Sequence, residues 1–367
     1  MAVWLQEILR DYFGPFNVLR YVPFRAILAI ITGLVITWFL YPWLIRRLQA
    51  LQIGQTIRED GPERHRAKSG TPTMGGLLIV IAVLSSLVLW GELRNPYVLL
   101  TAGIILGYTV LGFVDDWMKI VRKKGIRGKT KLLWQFIIAI AALSLFFYVL
   151  MPYTEYNTRL YFPFFRIDQY YLELPRWAYI IFGSVVIVGT SNAVNLTDGL
   201  DGLAIVPSIT SASVYLVFAY LSGATFYGLV LADYLFIPYL PGINELAIIA
   251  ASLIGAGMGF LWYNSYPASI FMGDVGSLPI GGILGSLAVF TKNELLSVII
   301  LGIFVVEALS VIAQTTSYKL RGKRVFRMAP IHHHYELKGW AEPKIIIRFW
   351  IISLLLGLVA LASIKLR

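Results

Sequence analysis

The chain predicts an all-α fold, a polytopic integral membrane protein with about ten transmembrane helices. Three observations carry this expectation. Of 367 residues, 58% are hydrophobic and 14% charged, with a mean hydropathy of +0.72; a soluble domain of this length cannot hide so much apolar surface. Apolar runs near the spanning length of about 20 residues recur from end to end. Lysine and arginine gather in alternate connections, as topogenic charge does.

Residues 1–23 read as an interfacial N-terminal helix. Leu5, Ile8, Leu9, Tyr12, Phe13 and Phe16 follow helical spacing, while Glu7, Arg10 and Asp11 fill another face. The basic start and small-residue cleavage site of a signal peptide are missing. Ten spans follow within 24–364, near 24–45, 73–90, 97–114, 131–150, 177–195, 203–221, 245–263, 277–291, 294–316 and 344–364. The eighth is short and Gly-rich. Segment 226–240 is apolar but short, carries Asp233 and meets Pro238 and Pro241, so it is read as a loop. Aromatic stretches around Arg166 and Asp168 predict a short β-hairpin in 151–176. No repeat of 20–50 residues stands out, and 1–367 is read as a single membrane domain.

Loops 46–72, 115–130 and 317–343 carry most of the Lys and Arg. The positive-inside rule places them in the cytoplasm, with 196–202 and 264–276, and both termini in the periplasm. The net charge of +11 is then topogenic, and no nucleic-acid partner is expected. Zero cysteines exclude disulfides, thiol catalysis and Cys-bound zinc.

Four aspartate motifs fall on this cytoplasmic side: VDDW (114–117), NLTD (195–198), GLDG (199–202) and FMGD (271–274). Carboxylates beside hydrocarbon are costly unless they meet a cation, a polar partner or water. Several at one face suggest a site for metal and phosphate. Asp115 and Asp116 end the third span and point about 100° apart, so they serve different tasks. Asn192, Asn195, Asp198 and Asp201 recur every third residue, and Gly199 and Gly202 are expected to break the helix. Asp274 lies between Gly273 and Gly276 near a helix start, where a plain cap competes with a metal role. Mg²⁺ takes hard oxygen ligands, typically one or two carboxylates with substrate phosphates. His332, His333 and His334 are consecutive, so they cannot all face one ion. Phosphate contact in a basic loop fits them better, with a solvated loop as the bland alternative. Gly70–Gly76, behind Lys68, offers backbone N–H groups to phosphate but lacks the P-loop pattern.

On KSGTPTMGG, VDDW, NAVNLTDGLDGL, FMGDVGSL and PIHHHYELKGW, in family order over essentially the whole chain, the sequence resembles the polyprenyl-phosphate N-acetylhexosamine-1-phosphate transferases. The last string is most similar to the branch using UDP-MurNAc-pentapeptide; relatives using UDP-N-acetylglucosamine carry a differently spaced His/Arg motif there. The resemblance implies a Mg²⁺-dependent enzyme of the bacterial cytoplasmic (inner) membrane. It would transfer phospho-MurNAc-pentapeptide from UDP-MurNAc-pentapeptide to undecaprenyl phosphate, releasing UMP and leaving lipid I. A homodimer is left open.

By similarity, Asp274 is the metal ligand, and Asp115, Asp116 and the three histidines join it in the catalytic centre. Asn192, Asn195, Asp198 and Asp201 line the nucleotide and diphosphate pocket, with Gly199, Leu200 and Phe271 near the uracil. Lys68, Thr73, Lys119, Lys123, Lys131 and Gln314 hold the nucleotide or phosphates. The family also bends its ninth span, and Gln314 to Ser317 mark a polar interruption there. Two alternatives are a sibling transferase using UDP-N-acetylglucosamine and a transporter or flippase. The latter predicts acids buried mid-span in paired repeats, whereas these acids sit at span ends.

Overall fold

The computed structural model describes residues 1–9, 14–51, 70–150, 156–226 and 228–365. The helices in chain order are α1 (Ala2–Leu9), α2 (Val22–Ala50), α3 (Gly76–Trp90), α4 (Pro96–Arg122), α5 (Gly128–Leu145), α6 (Arg176–Thr197), α7 (Ile205–Gly223) and α8 (Leu231–Leu235). They continue with α9 (Leu246–Asn264), α10 (Asp274–Phe290), α11 (Ser297–Ile300), α12 (Gly302–Arg321), α13 (Ile331–Glu336) and α14 (Glu342–Ala362). Among the described residues seven helices, α2, α4, α5, α6, α7, α9 and α14, are long and apolar enough to cross a membrane, and α3 and α10 are shorter apolar helices. Strands β1 (Arg159–Tyr161) and β2 (Tyr171–Glu173) form the hairpin expected in 151–176, with Leu160 opposite Leu172. The described residues of 226–240 form the end of β3 (Thr225–Phe226), β4 (Leu229–Val230) and the five-residue α8, with no helix of spanning length among them.

Helix α10 is the axis of the molecule, with every residue from Asp274 to Phe290 buried. Its glycines allow this. A Cβ on Gly281 would strike the backbone of Ser191 in α6, and one on Gly112 of α4 would strike the Asp274 carbonyl. Lipid tails are as apolar as leucine, so helices in a bilayer gain from close backbone packing at small residues. The peripheral helices keep an apolar outer face: Ile27, Ile31, Val35 and Phe39 on α2, and Ile347, Ile351, Leu354 and Leu358 on α14, are exposed. Helix α4 starts where Pro96 follows Asn95, whose Oδ1 accepts from the N–H groups of Tyr97 (3.0 Å) and Val98 (3.3 Å).

Several boundaries differ from expectation, each for a physical reason. Among the described residues, the N-terminal segment holds α1 and a 3₁₀ helix at Gly14–Arg20, and the terminal ammonium donates to the Val88 carbonyl at 2.8 Å. Helix α3 starts at Gly76 rather than 73, because the preceding backbone pairs with a distant segment. Phe271 N–H donates to Pro72 O, Gly75 N–H to Phe271 O and Gly76 N–H to Met272 O, each at 2.8 Å. Asp115 and Asp116 do not end their helix. Helix α4 continues to Arg122, with Lys119 folded back onto both acids one turn away and Arg122 in the last turn. The ninth apolar stretch breaks at Leu301, between α11 and α12, and not at Gln314–Ser317, through which α12 runs unbroken. Those polar side chains bond locally. Thr315 Oγ1 donates to the Val311 carbonyl at 2.8 Å, and Ser317 Oγ to that of Lys323 at 2.9 Å.

The far end of α10 carries a second buried polar group. Lys292 Nζ donates to Asn157 O (3.0 Å) and Tyr179 OH (3.1 Å) and lies 3.7 Å from Glu294, while Tyr179 OH donates to Glu294 and pairs with Tyr156 OH. Burial pulls the Lys292 ammonium down to about 8.

Candidate active site

Asp115 and Asp116 from α4 meet Asp274 at the start of α10, with one carboxylate oxygen of each inside a 4.8 Å cluster. Three acids this close repel, and two lysines offset them. Lys119 Nζ lies 2.7 Å from Asp115, 3.1 Å from Asp116 and 3.2 Å from Asp274. Lys131 Nζ, from the first turn of α5, lies 2.5 Å from Asp274 and 3.4 Å from Asp115.

Backbone and amide donors fix the acids further. Asp115 Oδ1 accepts from Ile126 N–H at 2.7 Å, and Asp116 Oδ2 from Val275 N–H at 3.0 Å. Asn195 Nδ2 donates to Asp274 Oδ1 and Ser277 Oγ, each at 2.8 Å, so α6 is tied to the same carboxylate. Gly273 has φ +74°, and a Cβ there would stand 2.6 Å from Asp116 Oδ2 and 3.3 Å from Thr73 Oγ1. Only glycine lets the 270–274 backbone approach both motifs so closely.

The 198–204 turn joins α6 to α7 beside this cluster. Asp198 ends α6. Burial pushes its carboxyl up to about 7, with the charges of Asp274, Asp116 and Asp201 adding to the effect. Asp201 is buried and acts within the fold, its Oδ2 accepting from Ala268 N–H at 3.0 Å while its N–H donates to Glu342 Oε1 at 3.2 Å. Gly202 N–H donates to Asn264 Oδ1 (2.9 Å), and its carbonyl accepts from Trp350 Nε1 (3.1 Å). Leu200 packs in an apolar cluster with Leu203, Ile303, Ile345, Ile346 and Phe349.

The remaining predicted site residues divide. Asn192 Nδ2 donates to Gln135 Oε1 (2.8 Å), one helix layer behind Asn195. Phe271 is held by its backbone pairing with Pro72 and Gly75. Lys123 caps α4 in a left-handed conformation, φ +55°, and is exposed. Gln314 is engaged with the 325–326 backbone: its Oε1 accepts from the N–H groups of Val325 and Phe326 (2.9 Å each), and Nε2 donates to Phe326 O (3.0 Å). The histidines stand on α13 rather than in a loop. His332 is buried with Nδ1 3.1 Å from Glu307, His333 Nδ1 is 2.6 Å from Glu336, and His334 Nδ1 accepts from Arg327 N–H at 3.1 Å. Lys68 lies outside the described residues.

Three contributors escaped sequence reasoning. Gln135 is fully buried between Ser191 and Asn192; a lone Gln one turn after Lys131 in an apolar run was its only signal. Ser277 sits one turn after Gly273, and Glu307 interrupts the apolar first turns of α12.

The chain matches the model of glycosyl transferase family 4 over residues 97–292 and the first phospho-N-acetylmuramoyl-pentapeptide-transferase signature over 68–80. It is 58% identical to the phospho-N-acetylmuramoyl-pentapeptide-transferase of Sorangium cellulosum over 357 residues, covering 96% of this chain and 95% of that one. It is 54% identical to the proteins of the same description from Citrifermentans bemidjiense and a Geobacter species, over 99% of both chains in each case.

Proposed function

The chain belongs to the phospho-N-acetylmuramoyl-pentapeptide-transferases of glycosyl transferase family 4, and we propose that its aspartate–lysine cluster is where their reaction takes place. The enzyme transfers phospho-MurNAc-pentapeptide from its UDP carrier to undecaprenyl phosphate, forming lipid I in the bacterial inner membrane. One observation carries the placement: the three buried carboxylates of α4 and α10 are bridged by two lysines at one end of the helical body.

Three carboxylates within 4.8 Å form a hard-oxygen donor set that fits a divalent cation, and we assign it to Mg²⁺ held by Asp274 with Asp115 or Asp116. Bound there, the ion would supply positive charge to the diphosphate. Lys119 and Lys131 already face the same carboxylates and would turn to the substrate phosphates when the ion takes their place. The lipid phosphate has a second pKa of about 6 and is largely dianionic at neutral pH, so it barely needs a general base. Its oxygen attacks the β-phosphorus of the UDP substrate, the bond to the bridging oxygen breaks, and UMP leaves with that electron pair. The acid of the Asp115–Asp116 pair not engaged with the ion orients the nucleophile and accepts any residual proton. Asn192, Asn195 and Asp198 line the nucleotide and diphosphate side, and α13 meets the sugar-peptide side.

The same reading counts α3, α10 and the broken α11–α12 pair as spans beside the seven longer helices. That gives ten crossings, with both termini periplasmic and the cluster at the cytoplasmic face. The test is UMP release by purified enzyme with UDP-MurNAc-pentapeptide, with and without polyprenyl phosphate. Release that needs the lipid acceptor is expected. A labelled phospho-enzyme trapped without acceptor would replace direct attack by a two-step route.

A further inference from the structure

Glu307 and His332 form a buried pair between two elements that the chemistry above does not use together. Both side chains are fully buried. Glu307 lies on α12, His332 on α13, and Oε1 of the first stands 3.1 Å from Nδ1 of the second. The other ring nitrogen, Nε2, has no hydrogen-bond partner among the described residues and points at Gly199; a Cβ built there would collide with Nε2. Gly199 follows Asp198 in the turn after α6, and α6 also delivers Asn195 to Asp274. The imidazole is thus a strut, with one edge on a carboxylate and the other on the turn.

We propose that Glu307 is a positioning residue for the transferase reaction. It holds His332 with the proton on Nδ1 and the bare Nε2 edge against Gly199, which sets the Asp198–Gly199 turn beside the aspartate–lysine cluster. The tautomer follows from the surroundings. A carboxylate accepts and cannot donate, so Nδ1 carries hydrogen. A hydrogen on Nε2 would be buried with no acceptor among the described residues, which is unfavourable. A fixed ring orientation set by a partner on its other nitrogen is a common way to position histidine. Glycine at 199 is required by the same contact, since any side chain would push the strut away.

The inference rests on the reading that this turn lines the substrate pocket, and the experiment separates the two. In UMP-release assays on full-length enzyme, Glu307→Gln keeps an acceptor and is expected to stay within about threefold of wild type. Glu307→Leu is expected to raise the KM for UDP-MurNAc-pentapeptide by about tenfold or more, with a smaller change in kcat. Asp198→Asn is run beside them. A wild-type KM in Glu307→Leu with an impaired Asp198→Asn overturns the positioning role alone; normal kinetics in Asp198→Asn overturns the pocket reading instead. Should Glu307→Leu fail to fold, ¹⁵N spectra of histidine-labelled wild-type protein decide the matter, with His332 assigned from the His332→Asn variant. Protonated Nδ1 and bare Nε2 are expected, and the reverse would overturn the proposal.

Discussion

The Lys131 ammonium lies 2.5 Å from the Asp274 carboxylate although 143 residues separate them in the chain. With Lys119 it places two positive charges among three acids. The acids are therefore largely offset, with one more carboxylate than ammonium, before any ligand arrives, and a divalent cation and a diphosphate can enter as an exchange of partners. The acids would hold the cation, which would supply positive charge there, and Lys119 and Lys131 would be left to meet the phosphates.

Asp274→Asn removes a charge that both lysines contact and that Asn195 orients. Turnover is expected to fall by about a thousandfold or more, the range associated with losing a key electrostatic stabiliser, while thermal unfolding in detergent stays close to wild type. Near-normal UMP release would remove Asp274 from the metal site.

Lys131→Met should separate the lysine's two roles. Without the competing ammonium, the acids should bind a divalent ion several-fold more tightly in the absence of substrate, while kcat falls by about ten- to a hundredfold. Calorimetric titration with Mg²⁺ or Mn²⁺ checks the first effect and UMP release the second. Weaker metal binding in the variant would contradict the exchange of partners.

Asp198 gives a pH dependence with a defined sign. Its carboxyl is pushed up to about 7 in the folded protein, against about 3.9 for an unperturbed aspartate. A raised folded pKa means the folded state binds the proton more tightly. Its contribution to stability is full below about pH 4 and is lost as pH rises through about 7. With divalent ions chelated, the melting temperature should decline from about pH 5 to pH 8, less steeply in Asp198→Asn. Identical slopes would show that Asp198 does not titrate there.

Gly276 sets the approach of α10 to α3. A Cβ on it would stand 2.5 Å from Gly76 Cα and 2.6 Å from Met272 Cγ. Gly276→Val is expected to cost at least the roughly 1–3 kcal/mol of overpacking and to lower activity as well, because it parts the Pro72–Gly76 and Phe271–Met272 backbones beside Asp116. Chemical or thermal unfolding of the purified variant measures the first effect.

At the other end of α10, Lys292→Met leaves Glu294 and Tyr179 buried without their cation. Removing one partner of such a pair costs about 3–5 kcal/mol. Lys292→Met is expected to lower the melting temperature clearly, with partial recovery in Lys292→Met/Glu294→Gln. Wild-type stability in the single variant would show that the pair is not needed.

Much of this architecture was legible in the sequence because bilayer helices advertise themselves by apolar length, and aspartates beside them are too costly to be incidental. Periodicity marks the helices but is blind to pairing between distant segments. That is why α3 was expected three residues early; α4 was expected to stop at Asp116 because the apolar run ends there, whereas the local Lys119 pairs carry the helix on to Arg122. The Asp115, Asp116 and Asp274 motifs were found by their chemistry, whereas Gln135, Ser277 and Glu307 look like ordinary polar interruptions until folding shows what they touch. Asp201 and Gln314 went the other way: their residue types suit a ligand, yet here they bond to the protein's own backbone.

The complete burial of α10 also bears on how the enzyme meets membranes of different thickness. Its 17 residues rise about 26 Å, short of a typical hydrocarbon core of about 30 Å. A lipid-facing helix of that length would suffer hydrophobic mismatch, but α10 meets only protein. Thinning or thickening of the bilayer acts on the rim, where α2 and α14 can tilt. The depth of Asp274 is thus set by neighbouring helices and insulated from lipid composition.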